Sequence, residues 1–136
     1  MSHPFNGLVI GQAGRATRAL LDRLLQEANT DFPTWVALVL LSDTDIPEDE
    51  LTDRLATRLK VDRADAALTV TGLAEEGLTT PGATLTEQGR ARFQHISDGV
   101  DSIAARLYGD LNADEKDTAG RVLALVTARA EAELAA

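Results

Sequence analysis

The stretch from Pro47 to Gly89 reads PEDELTDRLATRLKVDRADAALTVTGLAEEGLTTPGATLTEQG. Pro47 suits the first turn of a helix, and Glu48, Asp49 and Glu50 suit the positive end of its dipole. Leu51, Leu55 and Leu59 recur four residues apart and form an inner stripe, while Arg54 and Arg58 share an outer face. Lys60-Val61 is a short turn. Asp62 then reads as the N-cap of a helix running to about Glu76, with Asp65 at capping-box spacing. Its inner residues are Ala66, either Leu68 or Thr69, Val70 and Leu73. Gly77 fits the left-handed position that ends a helix. Leu78-Thr79-Thr80, Pro81-Gly82 and Ala83-Thr84-Leu85 predict a very short β-hairpin, and Thr86 caps whatever helix follows. Helix, tight turn, helix and small ribbon is the order of a winged helix-turn-helix.

Working outward, Leu8, Ile10, Ala13, Ala16, Leu20, Leu21, Leu24 and Leu25 predict a long helix from Asn6 to about Asn29. Gly7, Gly11 and Gly14 lie on one face of it and would let another backbone approach closely. No strand precedes them, so a phosphate-binding loop is the weaker reading. Asp31 and Thr34 compete as N-caps of the next helix, with Pro33 in its first turn. Trp35, Val36 and Leu38 to Leu41 make that helix apolar nearly all round, which places it at the buried centre. Beyond the ribbon, Phe93, Ile96, Val100, Ile103, Leu107 and Tyr108 mark a long helix. After a break at Asp110 to Asp114, Ala119, Val122, Leu123, Leu125, Val126 and Ala130 mark a last one, from about Ala113 to Leu134. The expected fold is mainly α, in one domain over 1–136, with a lobe at 31–86 flanked by long helices in 1–30 and 87–136.

At 136 residues the chain matches one domain of about 100–200 residues. It has no Cys, which excludes disulfides, thiolate metal sites and thiol chemistry. It carries 22 acids against 13 Lys and Arg, for a formal charge of −9. Such a chain does not coat nucleic acid or an anionic membrane indiscriminately, so any such binding needs a local basic patch. Leu8 to Ile10 is too short for a signal-peptide core, and Trp35 to Leu41 is too short to span a bilayer. The expected location is the cytoplasm, with no membrane partner.

Three segments taken in order resemble the MarR family of bacterial regulators over nearly the whole chain. Val61 to Leu78 resembles the family's recognition helix with its closing Gly-Leu. Leu85-Thr86-Glu87-Gln88-Gly89-Arg90 is similar to the family's Leu-Thr-x-x-Gly-Arg exit from the wing. Leu107 to Glu115 is similar to the link before its last helix. The resemblance implies a homodimer, in which the N- and C-terminal helices of two chains interleave and two recognition helices enter successive major grooves of a palindromic site. It also implies a small aromatic effector held in a crevice between the dimer platform and the DNA-binding lobe. On that reading the DNA-contacting candidates are Arg54, Arg58, Lys60, Arg63 and Thr69. The ligand-binding candidates are Arg18, Phe32, Trp35 and His95, with Phe93 close by. No cofactor is implied.

The chain departs from the family pattern in two respects. Only Thr79 to Thr84 separate Leu78 from Leu85, and none of them is basic. The recognition helix places Asp62, Asp65, Ala67, Leu68 and Gly72 where the family tends to place Ser, Thr or Arg. Between Asp43 and Arg90 there are eleven acids and five bases. These departures keep a second function open: a protein-interaction or ligand-binding module that pairs with, or antagonises, another regulator. Catalysis is not expected. His95 has Asp98 three residues on, a base with an orienting acid, but no nucleophile motif accompanies them. The acids between Asp43 and Glu50 lack the glycine and spacing of a calcium loop, so no metal site is expected.

Overall fold

The computed structural model describes residues 3–136. The described residues form six helices: α1 (Gly7–Glu27), α2 (Phe32–Asp43), α3 (Glu48–Leu59), α4 (Arg63–Glu75), α5 (Glu87–Tyr108) and α6 (Ala113–Ala135). They fall into two compact units, one ending at Asp101 and the other running from Ser102 to Ala136.

In the first unit, α3 packs most extensively on α4, and both lie against α2. The core is aliphatic. Ala37, Leu38 and Leu41 of α2 meet Leu51 and Leu55 of α3 and Ala66, Val70 and Leu73 of α4. Leu78, Ala83 and Leu85 close it from the segment between α4 and α5. Trp35 and Phe93 pack on its edge and stack on each other with ring centroids 5.6 Å apart. Arg92 of α5 donates to the Thr30 hydroxyl at 3.0 Å, which ties α5 to the link between α1 and α2.

Most helix ends are set by local chemistry. The Asn6 carboxamide accepts from Val9 N, and the Asp31 carboxylate accepts from Thr34 N at 2.8 Å. Asp31 therefore wins over Thr34 as the cap of α2. Pro47 stands at the N-cap of α3, and its carbonyl accepts from Leu51 N. Asp62 occupies the N-cap of α4, but its carboxylate makes no capping bond. The capping-box reading of Asp62 and Asp65 is thus corrected: neither side chain closes the box, and α4 starts without a side-chain cap. Gly77 has φ +77°, the left-handed turn expected after α4.

Between α4 and α5 the chain doubles back through one antiparallel bridge, Thr79 with Leu85, and no longer strand forms. Thr80 N donates to the Thr84 carbonyl at 2.8 Å, and Thr86 N to the Leu78 carbonyl at 3.0 Å. The expected hairpin is reduced to this loop because Thr80 and Thr84 already close it. The positive φ falls on Ala83, not on Gly82.

The Leu-Thr-x-x-Gly motif has a packing explanation. The Thr86 hydroxyl donates to the Gly77 carbonyl at 2.6 Å and accepts from Gly89 N at 3.0 Å. It thereby satisfies the end of one helix and the start of the next. A Cβ on Gly89 would overlap the Leu78 carbonyl. Within this chain, among the described residues, a Cβ on Gly7 or Gly14 would meet nothing within 4 Å.

In the second unit the end of α5 is followed by α6, which begins on a reciprocal capping box between Asn112 and Glu115. No residue of α6 is buried. Leu107, Tyr108, Leu111, Leu123 and Leu125 of this unit are exposed.

Candidate nucleic-acid interface

The pair α3–α4 is joined by Lys60, Val61 and Asp62, the short connection of a helix-turn-helix. Lys60 adopts φ 58°, and the amides of Lys60 and Val61 both donate to the Ala56 carbonyl. This left-handed residue turns the chain so that α4 leaves with Ala66, Val70 and Leu73 inward. The outer face of α4 is then Ala64, Asp65, Leu68, Thr71 and Glu75. Leu68 is 72% exposed, so the open choice between Leu68 and Thr69 resolves with Leu68 outward and Thr69 half-buried at the edge.

The four candidate cations divide into two pairs. Arg63 Nε donates to Asp53 Oδ1 at 2.8 Å, and Arg63 Nη2 lies 3.7 Å from Asp49. The Asp53 hydrogen bond and charge, with Asp49 behind them, raise the guanidinium above its ordinary value. Arg54 donates to Glu50 at 2.9 Å, one turn earlier on α3. Arg58 and Lys60 are exposed, and neither has an ion-pair partner among the described residues. The carboxylates engaging Arg54 and Arg63 are themselves exposed, so solvent screens both pairs. The sequence alone shows the Arg54–Glu50 spacing. The Arg63–Asp53 pair spans two helices, and residue spacing along the chain does not reveal it.

Of the four ligand candidates, Arg18 and Phe32 meet, while Trp35 and His95 are not brought to them. Arg18 Cζ lies 3.6 Å from the centre of the Phe32 ring, and Arg18 also pairs with Asp22 at 2.9 Å. Phe32 and Asp22 border an open cleft of about 620 Å³ with Gln26, Thr30 and Thr34. Trp35 borders neither this cleft nor a second one of about 460 Å³ lined by Arg90, Phe93 and Gln94. His95 is exposed. Asp98 accepts from Gln94 Nε2 at 2.8 Å, one full turn before it, and makes no hydrogen bond or ion pair with His95 among the described residues. Among the described residues, no three His, Asp or Glu side chains gather as a metal site.

A helix with an exposed outer face, joined by a short turn to the helix it packs on, defines a helix-turn-helix protein. The solved structures similar to it narrow this to one fold family. The MarR family protein Rv2887 of Mycobacterium tuberculosis, solved in complex with DNA, is 24% identical, with a TM-score of 0.71 over 92% of this chain and 98% of that one. The transcriptional regulator PA3341 reaches a TM-score of 0.75 at 22% identity, over 93% and 98%. CouR from Rhodococcus jostii RHA1, bound to p-coumaroyl-CoA, gives 0.70 at 17% identity, over 86% and 87%. No family model matches the sequence, and no curated protein matches it. The chain has the MarR fold.

Proposed function

We propose that this protein is a dimeric MarR-type transcriptional regulator that binds duplex DNA through α4. The observation that carries this reading is the outward face of α4, free of any covering element and held on a packed aliphatic core, in a fold whose Rv2887 representative was solved with DNA. Arg58 and Lys60 are the first phosphate contacts. Arg54 and Arg63 join them by exchanging carboxylate for phosphate, and Thr69 sits at the edge of the base-facing surface. The lobe over 31–86 does the binding, and the helices in 1–30 and 87–136 pair the chains. The exposed leucines and Tyr108 of the second unit are apolar surface that a second copy would cover, and Phe5 and Leu8 of the first unit are exposed in the same way.

An effector would act by preferring a dimer whose two α4 helices are spaced for one state only. CouR was solved with an aromatic acyl-CoA, and the cleft beside Phe32 is the first place to look for a small aromatic ligand here.

Titration against fragments of its own upstream region tests the reading. Retention at about 50 mM salt that weakens by orders of magnitude toward about 200 mM supports it. Light scattering should give twice the 14.5 kDa chain mass. A second reading has its own support: acids outnumber bases in the lobe, and two of its arginines are already paired. On that reading the protein is an interaction module that binds another regulator. No DNA retention at low salt, with a stable heteromeric complex, would establish it instead.

A further inference from the structure

The outward face of α4 has an unusual composition for a base-reading helix. From Arg63 to Glu75 the helix contains no Lys, Asn, Gln or Ser, and its one arginine is held at the first position by Asp53 and Asp49. Guanine offers two acceptors in the major groove, and bidentate Arg or Lys is the usual reader. Adenine is usually read by Asn or Gln. This face has none of these to present. Its carboxylates, Asp65 and Glu75, oppose the acceptors of guanine. What remains at its centre is Leu68, 72% exposed, with Ala64 one turn before and Thr71 and Gly72 about one turn after. A Cβ on Gly72 would meet nothing within 4 Å, so interior packing does not require the glycine there. The surface is open, low and apolar around one projecting leucine.

The major-groove feature that matches an apolar side chain is the C5 methyl of thymine. We infer that α4 reads its site chiefly through thymine methyl groups, with Leu68 as the specificity-determining residue and Ala64 and the Thr71 methyl flanking it. This rests on the DNA-binding reading and adds what that reading lacks, a source of sequence discrimination. The site is then marked by thymine at the position Leu68 covers and by the exclusion of guanine opposite Asp65.

The test removes only the methyl. Duplexes selected by the wild-type protein from a random pool at about 50 mM salt are remade with deoxyuridine in place of each thymidine in turn. One or two positions per half-site are expected to lose about three- to fivefold in affinity, the worth of burying one methyl group. The salt slope should not change, because the methyl carries no charge. Leu68→Ala should weaken binding to the thymidine duplex by a similar factor and abolish the difference between thymidine and deoxyuridine. Its unfolding midpoint should stay unchanged, since Leu68 is exposed. Salt-dependent binding that is equal for both duplexes, or selected sites lacking thymine, would overturn this inference and leave the DNA reading standing. A deoxyuridine effect that persists in Leu68→Ala would remove Leu68 from the readout. Failure to retain any duplex at low salt would overturn both.

Discussion

Arg63, the first residue of α4, donates through Nε to the Asp53 carboxylate of α3 at 2.8 Å. The pair joins the two helices of the helix-turn-helix at the end where α4 would meet phosphate. It also occupies the only cation of that helix. Asp53→Asn keeps the shape and removes the competing charge. Affinity for a fixed duplex should rise several-fold at low salt, and its salt slope should steepen by about one. Arg63→Ala should make the slope shallower by about one. Gel-shift titrations at three salt concentrations measure both. Equal slopes in all three proteins would mean that Arg63 makes no phosphate contact even when Asp53 no longer holds it.

The junction between α4 and α5 should be sensitive to single atoms. Gly89→Ala places a methyl against the Leu78 carbonyl, a backbone group that cannot move without disturbing the bridge. A loss of about 2–3 kcal/mol is expected in urea unfolding. Thr86→Val keeps the volume but leaves the Gly89 amide and the Gly77 carbonyl without the hydroxyl. The expected loss is about 1–2 kcal/mol.

The opposite sign is expected at Thr79. Its hydroxyl is buried and finds no hydrogen-bond partner among the described residues. Thr79→Val removes the stranded polar atom at nearly constant volume. Stability should rise by about 1 kcal/mol, seen as a higher urea midpoint with an unchanged slope. A lower midpoint would mean that the hydroxyl is satisfied in solution.

Lys60 separates stability from function. Its left-handed conformation costs a side-chain-bearing residue about 1–2 kcal/mol, which glycine relieves, and the greater freedom of glycine in the unfolded chain offsets part of that gain. Lys60→Gly should therefore stabilise the fold by about 0.5–1 kcal/mol while removing one phosphate contact. Thermal unfolding and salt-dependent DNA titration should move in opposite directions.

The order of elements and most of their ends were legible in the chain because they depend on neighbours within one or two turns. Asn6, Asp31, Thr86 and Gly77 act on backbone groups at most nine residues away, and the leucine stripe of α3 is read from its period. The acidic balance of the lobe is equally a property of composition. What the residues could not announce is what the crossing of helices decides. Asp53 reaches Arg63 only because α3 and α4 pack together, and the capping bond that the Asp62 spacing offers does not form. Leu68 faces outward while Val70 and Leu73 fill the core, a choice the period of α4 left open because Leu68 and Thr69 flank the same stripe. Gly89 is required by a carbonyl eleven residues upstream, and Trp35 meets Phe93 from a different helix. Such contacts join residues whose separation in space is set by packing, and local propensity carries no record of it.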